Sequence, residues 1–418
     1  MLNRYVLSQE CEGGTLLYNS INGAACIVPA TKDALSGYLD SLDPDEIGFF
    51  RDNLFLETSA FNEKAGDILT SIRTNIKYSN RFASFTIHLN YNCNLRCSYC
   101  YQNDIRRKKV MSRDVELQLY EFFEKVKKSN RLEKVDIAFI GGEPLLRLDA
   151  MLHMVQEAAR IFSGVEVDYS IVTNGTLFTE EVVRRIREIP FKTIQVTLDG
   201  SRDVHDRLRM YKDGTPTYED ILENLAVLQD HHLPVVINCN LDETSYRHVD
   251  ELYAELVRRG IAFPVFFSMI FDCESSCHRQ TRMTSPEYQT IWLEVHEIAA
   301  GYGYKYPPFY RLSYMVCGVE KVNDFNVSPG GQIYKCLSGM EKEDFFLADL
   351  GDYGTPKYYN RLAGFVEYDN RKEKCFDCKY LVVCGGWCRY KKRIYGEYCP
   401  YEELENNDLP LLETSDWR

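Results

Sequence analysis

No stretch of this chain is apolar for the length a membrane-spanning helix needs, so an integral membrane protein of that kind is excluded. Nothing after Met1-Leu2-Asn3-Arg4 supplies the apolar core and small-residue cleavage site of a secretory signal, and a cytosolic protein is the default expectation. An excess of basic residues is also missing. The 418 residues carry 49 Lys and Arg against 62 Asp and Glu, and the formal charge of −13 argues against non-specific binding to nucleic acid or anionic membrane. Complete disulfide pairing is excluded because the 15 cysteines are odd in number. In a reducing compartment, metal or redox chemistry is their expected use. What is abundant is apolar sequence, 45% of the chain, enough for the cores of two or three domains. The 29 tyrosines add hydrogen-bonding aromatic surface, which suits peptide grooves and cores alike.

The cysteines are grouped. Asn92-Cys93-Asn94-Leu95-Arg96-Cys97-Ser98-Tyr99-Cys100-Tyr101 holds three at C-x3-C-x2-C spacing, directly after an alternating apolar run at 85–90 that reads as a strand. Three thiolates in one short loop can hold three irons of a cubane iron–sulfur cluster and leave the fourth iron without a protein ligand. A zinc knuckle is the plainer alternative, but structural zinc takes four closed ligands, and no fourth Cys or His lies nearby.

Residues 1–80 precede this loop and read as a separate region. Short strands are expected at 5–8, 15–18 and 25–28, divided by turn-prone Gly13-Gly14 and Asn22-Gly23. Helices follow at 32–39, 45–53 and 63–74, with Asp43 and Asn62 as N-caps. From 84 to about 300, strand and helix patterns alternate. Strands are expected at 85–90, 135–140, 167–172, 193–198, 235–238 and 264–269, and helices at 115–128, 148–162, 180–189, 218–230 and 246–259. A sixth helix at 286–299 has Ser285 as N-cap and Pro286 in first position. Six such units imply the α/β class and a partial (β/α)6 barrel of parallel strands wrapped by helices.

The polar and Gly-rich clusters fall at the C-terminal ends of these strands. After the cysteine loop come Gly141-Gly142-Glu143-Pro144, then Thr173-Asn174-Gly175, then Leu198-Asp199-Gly200. Barrels of this kind build active sites on that rim. A turn after a strand is often Gly-rich merely because the chain reverses, so the shared rim carries more weight than any single motif.

The cysteine loop resembles the signature of the radical S-adenosylmethionine (SAM) enzymes, with the usual aromatic before the last cysteine present as Tyr99. The resemblance implies that Cys93, Cys97 and Cys100 hold a four-iron cluster whose open iron chelates SAM. Reductive cleavage to a 5′-deoxyadenosyl radical and abstraction of a substrate hydrogen would follow. Gly141 through Pro144 is similar to the family's GGEP motif, implying contact with the methionyl amine; Thr173 and Asn174 are expected at the ribose or methionyl group. Asp199-Gly200 with His205-Asp206 and Arg209 resembles a DG…HD-x-x-R stretch of the peptide-modifying branch. Arg209 is expected to fork onto the SAM carboxylate, and His205 to be a structural hydrogen bonder. A helix cap at Asp199 and a surface ion pair at Arg209 are the plain alternatives.

After residue 310 the strand–helix rhythm stops. Cys317, Gly331-x4-Cys336, Cys375-x2-Cys378-x5-Cys384-x3-Cys388 and Cys399 together resemble the SPASM extension of radical SAM enzymes; a zinc ribbon is the alternative. The resemblance implies two auxiliary four-iron clusters, the nearer on Cys317, Cys336 and Cys388, the farther on Cys375, Cys378, Cys384 and Cys399. The nearer cluster then either has an open iron or borrows Cys273 or Cys277. Cys11, Cys26 and Cys239 are expected to be small buried residues. Trp387 is expected to shield a cluster, 371–374 to be a solvated loop, and the stretch from Asp408-Leu409-Pro410 onward a frayed tail.

The division that follows is 1–80 for a leader-peptide-recognition-like region, 81–305 for the radical SAM core and 306–418 for the SPASM region. The first resembles the small winged domain with which peptide-modifying enzymes take up a leader peptide as an added strand. The implied activity is maturation of a ribosomally synthesised peptide (RiPP), as in the sactipeptide and ranthipeptide maturases, by a crosslink such as Cys sulfur to carbon. Anaerobic sulfatase maturation, making formylglycine from Cys or Ser, is the alternative, and a non-catalytic iron–sulfur electron-transfer protein is a third. The implied partners are a precursor peptide with its leader and a low-potential flavodoxin- or ferredoxin-type donor.

Overall fold

A computed structural model of the chain describes residues 1–105, 109–270, 285–304, 316–367, 369, 371, 375, 378–386, 388–396 and 399. Two compact units are present, one formed by Met1–Tyr78, Met283–Cys317 and Tyr368–Arg418, the other by Ser79–Arg282 and Gly318–Glu367.

In the first unit, β1 (Val6–Cys11), β2 (Gly14–Asn19) and β3 (Ala25–Val28) form an antiparallel sheet in chain order. The β1–β2 turn needs glycine: Gly14 has φ +136°, and a Cβ there would lie 2.0 Å from the Val28 carbonyl oxygen. Helices α1 (Leu35–Asp40), α2 (Pro44–Asp52) and α3 (Ser59–Lys77) follow. Asp43 caps α2 as expected, its carboxylate accepting from the Asp45 and Glu46 N–H groups at 2.9 Å while Glu46 accepts from the Asp43 N–H. Asn62 is not an N-cap; α3 starts three residues earlier at Ser59, directly after Thr58, a residue type favoured at helix caps, and Asn62 lies within the helix. Leu17, Val28, Leu35, Phe50 and Phe55 form the core between sheet and helices.

The second unit alternates β4 (Phe82–His88), α4 (Arg113–Ser129), β5 (Lys134–Ile140), α5 (Leu148–Ile161), β6 (Glu166–Thr173), α6 (Glu180–Ile186) and β7 (Phe191–Thr197). It continues through α7 (Arg202–Leu208), α8 (Tyr218–Asp230), β8 (Val235–Leu241), α9 (Val249–Arg258) and β9 (Val265–Met269). Helix α10 (Ser285–Gly301) belongs to the first unit. Strands β10 (Asp324–Val327), β11 (Gln332–Tyr334) and β12 (Phe346–Asp349), with α11 (Pro356–Val366), then return to the second. Finally, α12 (Leu381–Cys384) and α13 (Arg389–Tyr395) belong to the first unit.

The sheet order is β12-β11-β10-β4-β5-β6-β7-β8-β9. The six parallel strands from β4 to β9 are neighbours in chain order, as in barrel winding rather than the reversing order of a doubly wound sheet. Three strands extend it beyond expectation: β10 pairs parallel with β4, and β11 and β12 add antiparallel.

The two faces of this sheet differ. On one, Phe85 meets Phe122 and Phe123 of α4, Phe162 and Phe325, with ring centroids 4.7 to 6.0 Å apart. On the other, the period-two alternation and the strand register align Thr86, Ser170, Gln195, Thr197, Asn238, Asn240 and Ser268. These side chains are polar and uncharged, and they lead toward the rim where the cysteine loop leaves β4.

Candidate active site

The cysteine loop is held between two backbone partners. On one side, the Arg96 N–H donates to the Met210 carbonyl at 2.8 Å, the Ser98 N–H to Leu208 at 2.9 Å, and the Lys212 N–H to Asn94 at 3.2 Å. The stretch expected to read SAM through Arg209 is thus also a strand-like clamp on the loop. On the other side, the Gly142 N–H donates to Asn90 at 3.0 Å, the Glu143 N–H to Asn92 at 2.7 Å, and Asn90 Nδ2 to the Glu143 carbonyl at 3.0 Å. A Cβ at Gly142 would lie 2.1 Å from the Asn92 carbonyl oxygen, and one at Gly141, where φ is +153°, 2.3 Å from that of Asn90. The Gly-Gly pair therefore has a requirement that its sequence context did not reveal: it lies against the chain entering Cys93.

Between these partners, Cys93 and Cys97 are buried with Leu95, and Cys100 and Tyr211 pack against them. Burial pushes the Cys97 thiol up to about 11 while the Arg209 charge pulls the other way. A thiolate here needs a cationic partner, and cluster iron is one. Among the described residues no group of three or more His, Cys, Asp or Glu side chains is arranged around a single metal ion. Three cysteines of one loop are a donor set that a cubane accommodates, because it spreads its ligands over separate irons.

Glu143 is fully buried and its carboxylate ties two strand ends together. One oxygen accepts from the Leu145 N–H at 3.0 Å and the Thr173 hydroxyl at 2.8 Å, the other from the Asn174 N–H at 2.8 Å. Burial raises its pKa, while these hydrogen bonds and Arg209 oppose the rise. Pro144 opens the short 3-10 turn that Glu143 caps. Asn174 in turn reaches the cysteine loop, donating through Nδ2 to Asn94 Oδ1 at 2.8 Å and to the Cys93 sulfur at 3.7 Å.

A second polar cluster surrounds Tyr99. Its hydroxyl donates to Asp199 Oδ2 and accepts from Arg209 Nη1 at 2.7 Å and Asn240 Nδ2 at 3.1 Å. Asn240 also donates its backbone N–H to Asp199 Oδ1 at 2.8 Å. Asp199 is therefore not a helix cap, and Arg209, only 6% exposed, is not a surface ion pair. Arg209 Nε lies 3.9 Å from Asp199 Oδ2 and makes no hydrogen bond among the described residues, a buried donor able to meet an anionic ligand group. From Asn240 a ladder of amides crosses the polar face: Ser268 donates to Asn238 at 2.8 Å, and Asn238 to Asn240 at 3.1 Å.

His205 is structural, as expected. The Asp199 N–H donates to its Nδ1 at 3.1 Å, so Nε2 carries the proton and donates to Thr217 Oγ1 at 3.0 Å. Thr217 passes the bond to the Arg209 carbonyl at 2.8 Å. Burial and the Arg209 charge hold His205 well below the usual imidazole range, which keeps it neutral. Asp206 caps α8 by accepting the Thr217 and Tyr218 N–H groups.

The other cysteines divide between the units. Cys336 lies in the second, after β11; Cys317, Cys375, Cys378, Cys384, Cys388 and Cys399 lie in the first. Burial raises the Cys378 thiol, and the neighbouring Cys399 and Cys375 add to the rise. Cys239 is fully buried and accepts the Gly200 N–H, while Cys11 and Cys26 are half-buried. Cys273, Cys277, Trp387, residues 372–374 and the stretch from 408 onward lie outside the described residues, while Arg371, expected in a solvated loop, pairs with Asp369 through a side chain only 8% exposed. Sequence reasoning missed Asn94, Thr176 and Asn240. Asn94 carried a signal, its place between two cysteines; the other two look like ordinary turn and strand-end residues.

Residues 87–260 match the model of the Radical SAM superfamily. The chain carries a radical SAM domain, which implies a four-iron cluster and SAM, and its relatives include enzymes that modify peptides or sulfatases. It is 28% identical over 169 residues to an uncharacterized protein of Methanocaldococcus jannaschii, matching 40% of this chain and 56% of that protein's length. It is 23% identical over 331 residues to a cysteine-type anaerobic sulfatase-maturating enzyme of Clostridium novyi, spanning 72% of this chain and 86% of the other. Similarity to the radical SAM cyclopropyl synthase TigE of Paramaledivibacter caminithermalis is 20%, spanning 93% of this chain and 89% of that one. In fold, the chain resembles Streptococcus suis SuiB bound to precursor peptide SuiA, with TM-score 0.54, 14% identity, and coverage of 96% and 97%. No helix among the described residues is long and apolar enough to cross a membrane.

Proposed function

We propose that the protein is a radical SAM maturase that crosslinks residues of a ribosomally synthesised precursor peptide, with a thioether from Cys sulfur to carbon as one candidate bond. The observation that carries this reading is length. Similarity to a cyclopropyl synthase and to a fold seen with its precursor peptide runs over 93% and 96% of the chain, against 72% for the sulfatase-maturating enzyme. When bound, the cluster and SAM supply the hydrogen-abstracting chemistry; the chain holds, orients and shields. Cys93, Cys97 and Cys100 hold the cluster, and Tyr99, Gly141–Pro144, Thr173, Asn174 and Arg209 line the SAM site. Arg209, whose Nε makes no hydrogen bond among the described residues, would meet the SAM carboxylate, and Glu143 keeps the rim in register. The amides and hydroxyls of Gln195, Thr197, Asn238 and Ser268 suit a peptide backbone better than a charged substrate.

In this reading the leader peptide adds a strand to the β1–β3 sheet at β3. That strand pairs only with β2 among the described residues and leaves Ile27 exposed. Auxiliary clusters occupy the two C-terminal cysteine sets, three four-iron clusters in all, and a flavodoxin- or ferredoxin-type donor supplies electrons. Cys273 or Cys277 remains the candidate fourth ligand of the nearer auxiliary cluster.

The test is anaerobic incubation with SAM, reductant and either a leader-bearing precursor peptide or a sulfatase-derived Cys peptide. The expected products are 5′-deoxyadenosine and a precursor peptide lighter by two hydrogens, its core resistant to sequencing at the crosslink. Aldehyde in the sulfatase peptide, formed without any leader, would favour the formylglycine reading instead.

A further inference from the structure

The three thiols of the cysteine loop are not in equivalent surroundings. Cys93 alone receives hydrogen bonds at sulfur among the described residues: the Leu95 N–H at 3.4 Å and Asn174 Nδ2 at 3.7 Å. Cys97 faces the Arg209 charge instead. The amide at Asn174 is oriented by a closed ring. Asn94 Nδ2 donates to Thr176 Oγ1 at 2.7 Å, Thr176 Oγ1 to Asn174 Oδ1 at 2.7 Å, and Asn174 Nδ2 back to Asn94 Oδ1 at 2.8 Å. The assignment of oxygen and nitrogen at Asn174 is fixed independently, because Oδ1 also accepts the Thr176 backbone N–H at 3.0 Å, a group that can only donate. One amide hydrogen therefore goes to Asn94 and the other faces the sulfur. Asn174 is 6% exposed and Cys93 7%, so the contact is little screened by water.

We propose that Asn174 is a positioning residue for the cluster, donating its second amide hydrogen to the Cys93 sulfur and thereby holding the cluster's reduction potential up. The argument rests on the cluster reading of Cys93, Cys97 and Cys100. Reduction adds negative charge to cluster and ligand sulfurs, so a donor at a sulfur stabilises the reduced form more than the oxidised one. Asn94 and Thr176 act through Asn174: they fix which way its amide points.

The experiment is an EPR-monitored redox titration of anaerobically reconstituted full-length protein, following the signal that changes on adding SAM. Asn174→Asp keeps the Oδ1 acceptor but removes the donor, and is expected to give the largest shift toward negative potential. Thr176→Val, which frees the amide to turn, is expected to shift it less in the same direction. Both should keep the iron content of the parent protein. Unchanged midpoints in both variants at full iron content would overturn the proposal.

Should either variant fail to bind iron, the parent protein supplies the test. With side-chain 15N-asparagine, pulsed EPR of the reduced cluster is expected to show nitrogen coupling through the N–H···S contact, together with an exchangeable proton. Absence of both would overturn the proposal. No iron–sulfur signal in the parent protein would instead remove the functional reading on which the inference stands.

Discussion

The Cys93–Cys100 loop and the C-terminal cysteines are built by different means. Around the first, the backbone bonds reach Gly142, Glu143, Leu208 and Met210, and buried Glu143, Asp199 and Arg209 lock the surroundings. Around the second, the turns among the described residues are local: the Cys378 N–H reaches Cys375 at 3.2 Å and the Cys384 N–H reaches Tyr380 at 2.8 Å. That segment is also anchored by an apolar patch of Leu381 and Val382 against Tyr5 and Leu69, and by Arg73 Nη1 on the Gly385 carbonyl at 3.0 Å. On the proposed reading, the fold shapes the first site before metal arrives, and metal would complete the second.

Chelation should break the comparison most visibly. Anaerobic iron removal followed by limited proteolysis is expected to open cleavage first within the described residues of 378–396, with 93–100 protected; early cleavage in 93–100 would contradict the contrast. Asp199→Ala comes next. It leaves the buried Arg209 guanidinium without its carboxylate, and urea denaturation should register a loss of about 3–5 kcal/mol. Gly142→Ala sharpens the point at smaller energetic cost. Its Cβ must displace the Asn92 carbonyl, and a displacement near 1 Å should cost on the order of 100-fold in 5′-deoxyadenosine formation while iron binding persists. The smallest effect is expected at Asp43→Ala, which removes the cap of α2 for about 1 kcal/mol in denaturation and leaves nucleoside formation unchanged.

Legibility followed the length and locality of each signal. Strands β4 to β9 and most of their helices were readable because alternation and helical periodicity persist over five residues or more. The cysteine loop and the Gly-Gly turn announced themselves by spacing. Strands β10 to β12 did not, since three or four residues carry no period and β10 pairs with a strand far away in the chain. Helix α7 was hidden inside a motif read for its chemistry, and Ser59, not Asn62, opens α3. Burial separated the alternatives at Arg209 and Asp199, which sequence leaves equal: an arginine and a carboxylate ten residues apart look the same on a surface or in a core. Asn174 was expected at SAM, and its side chain also meets Asn94 and Cys93, a partner choice that sequence does not reveal because it is set by how the β6 end lies against the loop.

The most direct measurement is EPR of oxygen-free, reduced protein with and without SAM, on a variant in which Cys317, Cys336, Cys375, Cys378, Cys384, Cys388 and Cys399 are replaced by alanine. The account expects a four-iron signal that changes shape when SAM is added and vanishes with Cys93→Ala. Zinc in its place, or a cluster whose spectrum ignores SAM, would contradict it.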